Sequence, residues 1–485
     1  MPRETSHTLI LKKAPPRRTS RGLKPSVLLI LIVLLALLLQ ALPARLALAD
    51  NSGEKPYAIN PALPQAVQTF LRMETSDAVF NVQYRYAKIT PASDGAYLQN
   101  VGSSRSNWYI EDQRYGSPDV IAGVLHENDA LIRTGLKMFD FGFNREARNG
   151  SFPGSHGLFH GTAMFAAEAG PALLVLKSWT KEKSLGAATV KHVDWQISKL
   201  KKAVRYMVKS WYRKPGHIDD GGKEERFFEA AIALQSTGEM TSSKRLKGWA
   251  SMYAREGMRM TQANGVWTEN RGHDSTYQAI GLVYGTRYLM LVSGTSIYKS
   301  VYETVAKGEA WELSRVHKNG TMNRQGDDRT GPTCPERDGS GKCKTVDYSA
   351  IAGALMRWSV ISGSQQYARA AYLTWLQNWE RVPGDKLPKP GAFVKPGRLS
   401  LAQIHNGQWL TVWGTRFQPY ETVKVYFAKT LEATITADDI GSFGGHSPVM
   451  NAHFPVPAGT GPGTYRIVEK GNYGTKRHTK VVITS

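Results

Sequence analysis

Cysteine is nearly absent from this chain of 485 residues, which holds only Cys334 and Cys343. Zinc needs about four ligands, so a site built on paired cysteines is excluded. The two cysteines flank a polar, turn-rich segment, 335–342, and are expected to form a disulfide closing a short loop, as suits an oxidising compartment. Acidic residues are also scarce, with 40 Asp and Glu against 62 Lys and Arg and a net charge of +22. Such an excess concentrates anionic partners near the surface. Nucleic acid is not an expected partner, because zinc-finger spacing, an RNP-like aromatic motif and a basic heptad region are all missing. Also missing are a glycine-rich nucleotide loop after a strand, a serine nucleophile elbow and a zinc-protease helix motif. No cofactor is expected.

Residues 1–49 read as a signal peptide or N-terminal anchor. A basic leader (Arg3, Lys12, Lys13, Arg17, Arg18, Arg21, Lys24) precedes an apolar run from Val27 to Leu42 and a small-x-small site at Ala47-Leu48-Ala49. The rest of the chain is therefore expected outside the cell or on its surface, touching a membrane only through this segment if it stays uncleaved.

Long two-residue alternation is missing from 50–385, which reads as helical. Val193, Ile197, Leu200, Val204, Met207 and Trp211 give the cleanest helical stripe, and Leu125, Ile132, Leu136, Phe139 and Phe143 a second. Further helices are expected at 65–73, 163–179, 225–236, 243–262, 277–293, 297–314 and 346–381. A strict short repeat is missing too, which favours an incomplete or closed α/α barrel over a solenoid. A Pro/Gly-rich linker is expected at 386–397. Beyond it, 398–485 alternates in short runs such as Trp409–Trp413 and Val423–Phe427, predicting a small all-β sandwich. This stretch resembles the immunoglobulin-like modules of bacterial exported proteins in 414–423, 441–443 and 456–465.

The densest chemistry lies in Glu269–Gln278. Ser275 and Gln278 read as a capping box, which puts Arg271 and His273 in the loop before a helix and Tyr277 in its first turn. His156 and His160 flank another expected helix mouth, with Thr162 as its N-cap. Their four-residue spacing does not imply a metal, because Pro153, Gly154 and Gly157 argue against a helix there. Asp219, Asp220, Asp327 and Asp328 read as solvated loop acids.

A mainly helical basic domain with Asn, Arg, His and Tyr at loop–helix junctions, followed by a β domain, resembles the α/α-toroid polysaccharide lyases. The likeness is carried in residues by 267–285 and by 151–165. It implies β-elimination on an acidic, uronate-containing polysaccharide, with Tyr277 or His273 as base and Tyr277 also a candidate acid. Asn270, Arg271 and His160 would neutralise the substrate carboxylate. Trp267, His156, Arg226 and Arg329 are candidate substrate-binding residues, and Arg271 is the expected cationic neighbour of Tyr277. A glycoside hydrolase on the same barrel, using two of Asp219, Asp220, Glu225, Asp274, Asp327 and Asp328, is a second expectation. A non-catalytic acidic-glycan-binding surface protein is a third.

Overall fold

The stripe that defines the clearest predicted helix is buried in the computed structural model. Val193, Ile197, Leu200, Val204 and Met207 are each at most 5% exposed, along the helix Ala187–Tyr212. The structure describes residues 59–76, 90–99, 104, 106–182, 186–212, 220–270, 272–338, 341–378, 391–396, 407–418, 421–437, 441–444 and 452–484. The expected leader and Arg271 lie outside these residues.

The helices are α1 (Gln65–Thr75), α2 (Ile110–Gln113), α3 (Gly116–Leu125), α4 (Asp129–Phe143), α5 (Leu158–Glu182), α6 (Ala187–Tyr212), α7 (Glu224–Met240), α8 (Lys244–Met260), α9 (Ser275–Leu291), α10 (Tyr298–Arg315), α11 (Tyr348–Ser362) and α12 (Gln365–Asn378). Two expectations are corrected. Leu125 ends α3 rather than beginning the helix that carries Phe139, since Asn128 caps α4 by accepting from Ala130 N and Leu131 N. The single helix expected over 346–381 is two helices, because Gly363 follows α11 in a left-handed conformation (φ 69°) that glycine adopts without strain.

Consecutive helices pair as α3–α4, α5–α6, α7–α8, α9–α10 and α11–α12, and the first members also pack against one another in the order α3, α5, α7, α9, α11. Helix α1 packs against α5, α9 and α11. Buried Glu74 fastens it there, taking Arg287 of α9 at 2.9 Å and Arg357 of α11 at 3.1 Å. Burial opposes the charge on Glu74, but Arg287 and Arg357 outweigh it and hold the carboxyl down to about 2. Within the hairpins the connections 126–128, 241–243, 292–297 and 363–364 are short. Those leading into inner helices, 144–157, 213–223, 261–274 and 316–347, are long.

The C-terminal region is antiparallel β. Strands β1 (Gly391–Pro396), β2 (Trp409–Thr415) and β5 (Ala452–Pro455) form one sheet in the order β1-β2-β5. Strands β3 (Thr422–Phe427), β4 (Thr430–Thr436), β6 (Gly463–Gly471) and β7 (Lys476–Ile483) form another in the order β4-β3-β6-β7. Alternate residues Leu410, Val412, Val423, Val425 and Phe427 turn into a shared core. The β region starts earlier than the expected boundary at 398: β1 lies inside the expected linker and pairs with β2 from Gly391↔Thr415 to Pro396↔Leu410. Tyr372 of α12 donates from its hydroxyl to Arg416 O (2.6 Å), joining this region to the helices.

Glu469 on β6 is fully buried, and neither of its carboxylate oxygens has a hydrogen-bond partner. Burial pushes its carboxyl up to about 9, opposed by Arg477. A raised folded pKa gives stability that is complete below the unfolded value and is lost as pH rises through the folded one. Glu469→Gln removes that dependence. Its melting temperature should match wild type near pH 4.5 and exceed it increasingly up to pH 9. Thermal melts at pH 5 and 8.5 test this, and a gap that does not change with pH would contradict it.

Candidate functional site

The long connections all lead into N-termini of inner helices, and their side chains meet. Helix N-termini leave N–H groups without intrahelical partners, and here Asp274 caps α9 and Asp347 caps α11. One continuous series of contacts runs across it, from α5 through α7 to the mouths of α9 and α11.

At the α5 end, His160 lies in the first turn. Its Nδ1 is 3.5 Å from Glu229 Oε2 and 3.8 Å from Asp220 Oδ1. Thr162 is not the cap: the helix already begins at Leu158, and the Thr162 hydroxyl donates back to Leu158 O. Burial, reinforced by the cations Arg226 and Lys223, drives His160 well below the usual histidine range. Burial likewise pushes Glu229 up to about 8 against the pull of Arg226. Both shifts disfavour an ion pair at this contact. His156 is exposed, stacked on Tyr109 (ring centroids 4.1 Å apart), and its backbone N–H donates to Glu111.

Arg226 carries the series onward, 3.0 Å from Asp220 and 3.6 Å from Glu225. Asp220 is thus not a solvated loop acid but 2% exposed. Burial and neighbouring Glu269 raise Glu225 far above the ordinary carboxylate range. Glu269 also takes Arg329 at 2.7 Å and an amide hydrogen of exposed Asn270 at 3.0 Å. Asn270 holds φ at 51°, a left-handed turn that aspargine-type side chains tolerate.

At the α9 mouth the cap is Asp274, not Ser275. Asp274 Oδ1 accepts from Thr276 N and Tyr277 N. Its Oδ2 accepts from Arg329 N, Thr330 N and the Thr330 hydroxyl. Gln278 does not reach back to Ser275; its side chain accepts from Trp267 N and donates to Gly265 O and Gly308 O. Trp267 is 2% exposed and stacked on Phe228, over Gly281, Gly285 and Gly308, where any Cβ would come within 2.7 Å of the indole. It therefore presents no face to a sugar, and the expected stacking role is corrected.

His273 is partly exposed and backed by a buried acid, its Nε2 lying 3.5 Å from Asp327 Oδ1. The same oxygen accepts from Ser275 Oγ and from Arg315 at 3.1 Å. Asp327, also expected to be solvated, is 5% exposed. Burial, with Asp274 adding, raises its carboxyl. Asp328, by contrast, is exposed as expected.

Tyr277 points out of the α9 entrance, half-buried. Lys344 donates to its hydroxyl at 3.1 Å, and the Arg329 guanidinium lies 3.6 Å from its ring centroid. Among the described residues, the cations beside it thus come from 52 and 67 residues downstream. Glu336 holds both of them, at 2.5 Å from Arg329 and 2.7 Å from Lys344. The disulfide Cys334–Cys343 encloses Glu336 and lies next to Lys344 in sequence, so it staples this clamp to the site. Cys334→Ser combined with Cys343→Ser should lower stability by about 2–3 kcal/mol in the chain-entropy model. Melts with and without reductant test this: reductant should bring wild type down to the variant and leave the variant unmoved.

The sequence analysis gave no role to Glu269, though it lies in the stretch singled out, and passed over Glu229, Glu336 and Lys344. Only Glu229 carried a local signal, a charge four residues from Glu225 on a helix face that is otherwise buried. Among the described residues no cluster of His, Cys, Asp and Glu has the geometry of a metal site.

No family model matches the chain, and no curated protein matches it. Among solved structures, the Pseudomonas fluorescens alkylpurine DNA glycosylase AlkC, bound to DNA containing an abasic site analog, aligns with 87% of this chain and 100% of its own. The identity is 12% and the TM-score 0.14, too low to bear on fold or function.

Proposed function

We propose that the chain is an exported polysaccharide lyase that cleaves an acidic, uronate-containing polysaccharide by β-elimination. Its helical hairpins would form an α/α toroid, and its β region an immunoglobulin-like module. The observation that carries the reading is the α9 mouth, where a half-buried phenol, a histidine beside a buried acid, and two cations gather at one helix N-terminus. Elimination removes the proton α to the uronate carboxylate and expels the 4-O-linked sugar. The carboxylate's charge must be neutralised as the carbanion develops, a task for fixed cations and helix N-termini. Arg329 and Lys344 supply that charge beside Tyr277, alongside Asn270. Tyr277 or His273 takes the C5 proton, and the phenol can return one to the leaving oxygen.

His160 and Arg226, farther along the series, would bind a neighbouring sugar of the polymer. Purified residues 50–485 should be incubated with a panel of uronate polymers while absorbance near the unsaturated-uronate band is followed. A rise with one polymer is the expected result. No rise with any, under conditions where each polymer binds, would overturn elimination.

A second reading has its own support in the buried acids. Glu229 holds its proton at neutral pH, and Glu225 and Glu269 face each other, the ingredients of two-carboxylate glycoside hydrolysis. New reducing ends without absorbance would favour it. Binding with neither product would favour a glycan-binding protein.

A further inference from the structure

Away from the inner-helix mouths, Lys201, Arg205 and Lys209 recur every four residues along α6. Helix α8 opens with Lys244 and Arg245 behind its N-cap Ser243, and its first turn contains no acid. The two features converge on a concavity of about 310 Å³, lined by Lys201, Arg205, Lys209 and Arg245 together with Leu246 and Trp249.

Both arrangements cost stability in the free protein. Like charges at i, i+4 repel, and cations in a first helical turn oppose the helix dipole. Two other lysines of α6 are paired: Lys199 and Lys202 lie 3.6 and 3.2 Å from Glu146. Among the described residues, no ion pair within 4.0 Å joins Lys201, Arg205, Lys209 or Arg245 to a carboxylate. Four cations without such a pair thus line one concavity.

We propose that this concavity is a second binding site, for a strand of acidic polysaccharide. Four residues of helix rise about 6 Å, so the α6 cations form a row about 12 Å long that a linear polyanion can follow and a single compact anion cannot. Trp249, half-buried beside them, offers an aromatic ring against the apolar face of a sugar. The site would hold polymer on the outer helix layer while the inner-helix mouths engage another part of it. Choosing a polysaccharide over a nucleic acid rests on the function proposed above; the polyanion chemistry does not.

The test compares K201Q/R205Q/K209Q/R245Q with a control of equal charge change, R133Q/K137Q/K429Q/K480Q, whose positions are exposed and lie elsewhere. Equilibrium binding of polygalacturonate and of single-stranded DNA of matched length is measured at two salt concentrations. For polygalacturonate, the site variant should lose about tenfold or more in affinity and show a weaker salt dependence, while the control stays within about twofold. The site variant should also melt no lower than wild type at low salt, because it loses only repulsive charges. Equal losses in both variants would reduce the effect to net charge and overturn the proposal, as would no loss in either. Tighter, more site-dependent binding of DNA would overturn the choice of polysaccharide. Binding is read directly, so a lack of turnover on any polymer counts against the catalytic reading alone.

Discussion

Tyr277→Phe should lower the rate of unsaturated-product formation by a factor of about 10²–10⁴, the range for losing a positioned proton-transfer group. The change removes one oxygen and nothing else. That oxygen's partner is the Lys344 ammonium at 3.1 Å, and the ring stays beneath Arg329. Because Tyr277 is half-buried and its hydroxyl supports no helix or core contact, the variant should melt within a degree or two of wild type, a change of about 0.5 kcal/mol or less. Initial rates by absorbance, with a melt on the same preparation, test both halves. A variant that turns over within about threefold of wild type would remove Tyr277 from the chemistry, and His273 would then be the base to test. A variant that is slow and unstable would show that the hydroxyl has a structural role instead.

Asp274→Ala should have the largest effect on stability. The side chain is fully buried and accepts five hydrogen bonds, two as the cap of α9 and three from Arg329 and Thr330. Losing an N-cap costs about 1 kcal/mol, and each buried donor left without a partner about 1–3 more. Water entering the gap will satisfy some of them, so a net loss of about 4 kcal/mol is expected. Denaturant unfolding monitored by circular dichroism tests it. A loss below about 1 kcal/mol would mean that the 327–330 turn re-forms its bonds without the carboxylate. Because that turn also positions Arg329 over Tyr277, any folded fraction should turn over slowly as well.

What the sequence made legible was whatever depends on near neighbours. Helical stripes such as Val193 to Met207 repeat within one element, and the burial of one residue follows from that of the next. Strand alternation at Leu410 and Val412 was readable for the same reason. The α9 entrance was legible in place but not in detail. Ser275 and Gln278 fit the capping-box pattern, yet Asp274 one residue earlier is the better acceptor, and Gln278 is occupied by backbone groups at 265, 267 and 308.

The acids at 220 and 327 read as solvated because their partners are not in the local pattern. Asp220 is held by a residue on the next helix, and Asp327 by Ser275, 52 residues away, and by Arg315. Trp267 looked like a sugar platform because nothing nearby in sequence reveals the glycines at 281, 285 and 308 that make room for it inside. Lys344, held by Glu336, reaches Tyr277 only once its loop has folded over the α9 entrance, and no spacing rule covers such a distance.

The inequality of the two ends of the helical hairpins has a consequence for how such a chain can change over time. Hairpin turns of two to six residues, such as 363–364 and 292–297, leave little room for insertion without prising paired helices apart. The connections into α5, α7, α9 and α11 can lengthen, shorten or exchange residues, because each has only to deliver an N-cap to a helix that is already packed. The residues at one end can therefore change while the other end conserves the architecture.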